Sequence, residues 1–149
     1  MQNPSPTFIQ IISTDYLAQN FFVMIFAGWA IYGIDAVFAG RATFFLAVFA
    51  AFLTPIGLAT FIWRYRLINS TFINGTEIAG KVTEINTIAK DLIIHYEYNF
   101  KGQKYQYINR VKKNDFARTL KTGQQLILLV DEKKPHIAFI KQIYLEYIK

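Results

Sequence analysis

The sequence predicts an α+β membrane protein, a two-helix transmembrane hairpin followed by a small β-barrel-like domain with one short helix. Three observations predict it. Hydrophobic residues make up 53% of the 149 and charged residues only 17%, against roughly 45–50% and about 25% in an average soluble domain. The 16 Lys and Arg and the 10 Asp and Glu are segregated, since residues 1–63 hold only Asp15, Asp35 and Arg41. Beyond Trp63 the apolar pattern changes from continuous blocks to short alternating runs, which is a change from span to strand. Such a composition excludes a disordered chain and argues against an ordinary cytosolic enzyme. The chain's net charge is +6, and its positive excess lies entirely in the second half, where 15 basic residues face 8 acidic ones.

Residues 1–16 read as a polar, interfacial segment, and residues 17–63 as the hairpin. The first apolar block covers about 17–38 around FFVMIFAGWAIYGI, and the second covers 43–63, TFFLAVFAAFLTPIGLATFIW, without a charge. A helix rising about 1.5 Å per residue needs roughly 20 residues to cross a hydrocarbon core, and both blocks meet that length. Residues 39–42 between them leave room only for a tight turn. A cleaved signal peptide is the competing reading of the first block, but residues 1–20 contain no Lys or Arg. Arg64 and Arg66 follow the second block directly and the turn offers only Arg41, so both termini are expected to be cytoplasmic. Small residues four apart (Ala47 and Ala51, Ala50 and Thr54, Ala36 and Gly40) suit packing of the hairpin against itself, with a partner helix as the alternative. Asp35 is expected to pair with Arg41 or snorkel, and Pro55 with Gly57 to kink the second helix.

Residues 64–75 are a juxtamembrane linker or helix extension ending at Asn74-Gly75, and residues 76–149 form the β-domain. EIAGKVTEI at 77–85 reads as a strand with a bulge or bend at Gly80. LIIHYEYNF at 92–100 alternates strictly, with Leu92, Ile94, Tyr96, Tyr98 and Phe100 on one face, and Lys101-Gly102 turns it back into KYQYINR. Asn114 caps a short helix carrying Phe116 and Leu120, with Gly123 as its stop. QLILLV at 125–130 and HIAFI at 136–140 are strands around the polar turn 131–135. Residues 142–148 fit a strand or a terminal helix equally. Four or five short strands with one helix suggest a half-open barrel, because closure removes exposed edges.

Several short motifs carry a resemblance. An apolar span precedes Gly80-Lys81-Val82, then Tyr96-Glu97-Tyr98, Gly102-Gln103-Lys104-Tyr105, the Thr122-Gly123-Gln124 turn and Asp131-Glu132-Lys133-Lys134-Pro135. In these the chain resembles the Domain of Unknown Function 3592 family of bacterial membrane proteins. Glu132 stands where that family usually has proline, and Lys134 where it has asparagine. The resemblance implies a membrane-anchored β-domain and supplies no activity. By architecture alone the chain is also similar to NfeD-type proteins, which associate with membrane scaffolds.

No catalytic set is expected. The chain has no cysteine, so thiolate metal sites, disulfides and cysteine nucleophiles are excluded. His95 shares a strand face with Glu97, but a metal or general base there needs further ligands, and solvent exposure is the simpler reading. Ser5, Ser13 and Ser70 occupy no strand-to-helix elbow, and no phosphate-binding loop or dinucleotide fingerprint occurs. No cofactor, metal or small-molecule substrate is predicted. The candidate interaction face is Lys104, Tyr105, Tyr107, Arg110, Lys112 and Lys113. Its cations suit anionic lipid headgroups or a protein partner, whereas exposed tyrosines beside them would suit nucleic acid. Against that last reading, Tyr105 and Tyr107 alternate with Gln106 and can face the core beside Tyr96 and Tyr98. The expected partners are therefore the bilayer and a membrane protein or a second copy. The expected function is a noncatalytic scaffold or interaction module, with a membrane-tethered nucleic-acid binder as the alternative.

Overall fold

In the computed structural model, which describes residues 4–40 and 43–145, two long apolar helices precede a five-stranded antiparallel sheet that closes almost into a barrel. The elements are α1 (Phe8–Thr14), α2 (Tyr16–Phe38), α3 (Phe44–Asn74), β1 (Thr76–Ile88), β2 (Asp91–Phe100), β3 (Gln103–Lys112), α4 (Asp115–Thr119), β4 (Gln125–Asp131), β5 (Lys134–Ile140) and α5 (Lys141–Leu145). The expected fold class is borne out. Two compact units result, Leu17–Tyr65 and the sheet with its flanks, Met1–Tyr16 and Arg66–Lys149.

Within Leu17–Tyr65, α2 and α3 pack antiparallel through small residues. A Cβ on Gly28 would stand 2.8 Å from the Ala50 backbone, so only glycine permits this approach. The Trp29 indole N–H donates to Thr54 Oγ1 (2.8 Å), and the Thr54 hydroxyl lies within hydrogen-bond reach of the Ile25 and Ala50 carbonyls. The small pair Ala50 and Thr54 thus serves the hairpin's own interface. Helix α3 runs through Pro55 without a break. The Thr43 hydroxyl donates to Asp35 (2.6 Å), and Arg41, the expected partner of Asp35, lies outside the described residues.

In the sheet unit the strand order is β3-β2-β1-β4-β5. The long strand β1 serves two neighbours: Thr76–Lys81 pair with β4 and Gly80–Ile88 with β2, overlapping only at Gly80 and Lys81. The sheet therefore turns over on itself at this point. The bulge lies between Val82 and Glu84, beyond Gly80, where Val82 exchanges backbone bonds with Gly123 and Gln124. Gly80 has a packing reason instead, because a Cβ there would meet Leu128 Cδ1 at 2.3 Å. The β2–β3 turn is Lys101-Gly102 as expected, with φ of 49° and 80°, the left-handed pair of a type I′ hairpin. The outer strands β3 and β5 are joined across the barrel interior by tyrosines of β2. Tyr98 donates to the Pro135 carbonyl (2.6 Å), and the Tyr96 hydroxyl sits between the Ala138 carbonyl (2.6 Å) and the Asn109 side chain.

Two readings differ from the expectation, at α1 and at the end of α4, and two that the sequence leaves open, residues 64–74 and 142–145, are helix. Residues 64–74 are helix, so the span and the linker are one element, α3, whose end contributes the fully buried Ile68 and Phe72 to the sheet unit. Within residues 1–16, expected as a polar interfacial segment, α1 packs with the sheet unit. Ile11, Thr14 and Asp15 are buried, and the Tyr144 hydroxyl donates to Asp15 (2.7 Å). Helix α4 ends at Thr119, and Gly123 (φ 87°) belongs to the turn before β4. For residues 142–148 the structure selects helix as far as Leu145; residues 146–148 lie outside the described residues.

Gly80→Ala should destabilise the sheet unit by about 1–3 kcal/mol, the cost of overpacking, because Leu128 is fully buried and cannot swing aside. A melt of the full chain in detergent, followed by near-ultraviolet circular dichroism, measures it; an unchanged midpoint would show that Leu128 yields freely.

Candidate interaction site on strand β3

A strand presents alternate residues to opposite faces, and β3 divides the six candidate residues accordingly. Register pairs Tyr96 with Tyr107 and Tyr98 with Tyr105, so the tyrosines of β3 join the inward face of β2. Tyr98 and Tyr105 stack at 5.7 Å, and Tyr96 and Tyr107 lie 6.1 Å apart. Tyr105 and Tyr107 are half-buried. Lys104, Arg110 and Lys112 point to the other face. The expected joint face of tyrosine and cation is therefore not formed, which leaves the nucleic-acid reading without the stacking platform it requires.

On the outward face the cations are engaged by carboxylates. Lys104 pairs with Glu97 (2.7 Å) across the hairpin, an exposed contact of small energetic weight. Arg110 reaches Asp91 through Nε (3.1 Å) and Nη2 (2.8 Å), and Lys112 Nζ lies 2.8 Å from the other Asp91 oxygen. The Arg110 guanidinium also stacks 3.5 Å from the Tyr16 ring centroid, with Lys112 Nζ at 5.4 Å. Arg110 is thus held on one side by charge and on the other by a ring face. Burial alone would push the Asp91 carboxyl up. Hydrogen bonds and Coulomb attraction from Lys112 and Arg110 outweigh it and hold the group below its ordinary value of 3.8. On the inner face, burial, with some contribution from Tyr107 and Tyr105, pushes the Tyr98 phenol up to about 12.

Lys113 follows the strand. Its Nζ donates to the Ala89 carbonyl (2.7 Å) and its backbone N–H to Lys90 (3.2 Å). Asn114 caps α4 through Ala117 N–H (2.7 Å) as expected and donates to the Ile143 carbonyl (3.0 Å), tying α4 to α5. Of the two arginines expected to orient the spans, Arg66 is exposed, while Arg64 is buried and engaged within the protein. His95 and Glu97 gather no third ligand, and among the described residues no group of three or more His, Asp or Glu could hold a metal.

Sequence reasoning missed Asp91 and Tyr16. Asp91 was legible in principle, since the Lys101-Gly102 turn sets a register that puts it opposite Lys112 once β2 is extended by one residue. Tyr16 had no such signal, because its contact with β3 spans most of the chain.

Two pH effects follow from these shifts. A carboxyl with a depressed folded pKa stabilises fully above its unfolded pKa and ceases to as pH falls through the folded one. Removing one partner of a buried pair costs about 3–5 kcal/mol, but the Arg110 and Lys112 side chains keep 34% and 28% exposure. Asp91→Asn should therefore cost only about 1–2 kcal/mol at pH 7 after that solvent screening, and its deficit against the natural chain should begin to shrink as pH falls below the ordinary value of 3.8 and vanish only below the depressed folded pKa. Tyr98 behaves oppositely: its contribution is complete below its unfolded pKa of 10.0 and is lost as pH rises towards about 12. Tyr98→Phe should lose about 1 kcal/mol at neutral pH with its hydrogen bond and lack that alkaline loss. Urea melts in detergent across the pH range read both, and parallel profiles for variant and natural chain would refute the assignments.

Comparison with protein-family models, curated proteins and solved structures returns no match for this chain.

Proposed function

We propose that the chain is a noncatalytic, multi-pass integral membrane protein. Helices α2 and α3 form the anchor, both termini are cytoplasmic, and the sheet unit is an interaction or scaffold module for another membrane protein. One observation carries the membrane part. The helices are long and apolar enough to span a bilayer, yet only 6% and 17% of their span windows are buried, whereas a core helix of a water-soluble fold is mostly covered. Val37, Phe38, Phe44 and Phe45 are among the large apolar side chains left bare. Lipid is the solvent that makes such a surface favourable. Arg66, with Lys81 and Lys90 further on, supports the cytoplasmic side for the sheet unit. The resemblance to the Domain of Unknown Function 3592 family and to NfeD-type proteins belongs to this same reading. The module part is supported by the outward cations of β3 and by the absence of a recognisable catalytic set in the sequence.

The lack of any cysteine makes the test clean. Ser5→Cys and Lys121→Cys should react with an impermeant maleimide only from the cytoplasmic side of sealed vesicles, and Gly40→Cys only from the opposite side. Photo-cross-linkers at Lys104 or Lys113 should then trap one recurring membrane protein. Labelling of all three positions from one side would refute the two-span topology, and repeated recovery of the bare chain would refute the scaffold role.

A further inference from the structure

An open groove of about 570 Å³ lies between α4 and the ends of β1 and β2. Ile85, Leu92, Ala117 and Leu120 line it with apolar surface, while Lys113 and Arg118 supply its cations. We propose that this groove docks the headgroup of an anionic phospholipid from the bilayer that anchors the chain, an inference that rests on the membrane reading of α2.

Charge argues first. Arg118 is exposed in the last turn of α4, and Lys113 keeps two N–H groups beyond the one given to Ala89. Lys90 adds a further exposed cation beside Lys113. The buried acid of this corner, Asp91, is already paired with Arg110 and Lys112, leaving Asp115 in the first turn of α4 as the opposing charge.

Position argues second and depends on covalent continuity alone. Tyr16 is the first residue of α2, and its ring is held by Arg110 and Lys112 at the end of β3. If the span starts at residue 17, Tyr16 sits at headgroup level, the depth aromatic residues favour. Lys113 is the next residue after Lys112, so the groove's cationic edge begins one residue from the contact with Tyr16.

Shape argues third. A phosphodiester can accept hydrogen bonds from Lys113 and Arg118 while the glycerol ester covers the apolar floor. An acidic peptide meets the same charges but must be brought by a partner, whereas the lipid is already present at the surface. Juxtamembrane cations of this kind favour anionic lipid by about fivefold each.

The full chain reconstituted in nanodiscs of phosphatidylcholine, with or without a third of phosphatidylglycerol, tests this by hydrogen exchange. Backbone amides of residues 115–119 should exchange about fivefold or more slowly in the anionic discs. Lys113→Gln with Arg118→Gln should remove that difference, and Lys121→Gln, which alters charge outside the groove, should keep it. Equal exchange in both lipids would overturn the proposal, as would loss of the effect in Lys121→Gln. Protection appearing only on addition of a poly-glutamate peptide would overturn it in favour of an acidic protein partner. Failure of the membrane reading is separately visible, as rapid exchange throughout α2 and α3 in both discs.

Discussion

Tyrosine hydroxyls, rather than a further ladder, join the two outer strands of this sheet. Tyr96 and Tyr98 leave β2 on its inward face and reach carbonyls of β5, so β3 and β5 face each other across a core instead of splaying apart. A phenol buried this deeply requires a partner, and the partners available are backbone oxygens that a flat sheet would leave at its edge. The same two rings meet those of β3, Tyr98 stacking on Tyr105 and Tyr96 lying tilted against Tyr107, and thereby draw the aromatic side of β3 inward. With the tyrosines committed to the core, the cations of β3 are left on the outer face. Chemistry on that face is ionic and amphiphilic, and the tyrosines of β3 itself offer no stacking surface beside it.

The outer face is itself organised around one buried carboxylate. Asp91 holds Arg110 and Lys112 so that both lie on the ring of Tyr16, where the sheet unit hands the chain over to α2. Helix α1, immediately before, is fastened by Tyr144 to Asp15. After the apolar hairpin, α3 continues as unbroken helix to Asn74, and Ile68 and Phe72 near its end are fully buried in the sheet unit.

Much of this was legible along the chain. The two apolar blocks, the alternation in β2, the Lys101-Gly102 turn and the Asn114 cap all appear where the sequence places them. The Ala89-Lys90 turn was not, because Ala89 takes φ 49° with no Gly, Asn or Asp to mark it. Helix α1 carries a usable signal, since Thr7 and Gln10 form a reciprocal capping box; seven residues next to a long apolar block conceal it. The candidate site was half legible. Its residue types and strand were identified, but its division between two faces depended on which side the core would occupy.

Length, apolar periodicity and local turn chemistry are properties of single segments, so the sequence by itself determined the two span-length helices, the strands, the short capped helix and the segregation of charge. Tertiary structure alone decided that Tyr105 and Tyr107 turn inward, that Asp91 gathers Arg110 and Lys112, and that residues before α2 pack with the sheet. Each of those outcomes depends on register and closure among strands and helices remote in sequence. One face of β3 becomes interior only once Tyr96 and Tyr98 have found the carbonyls of β5.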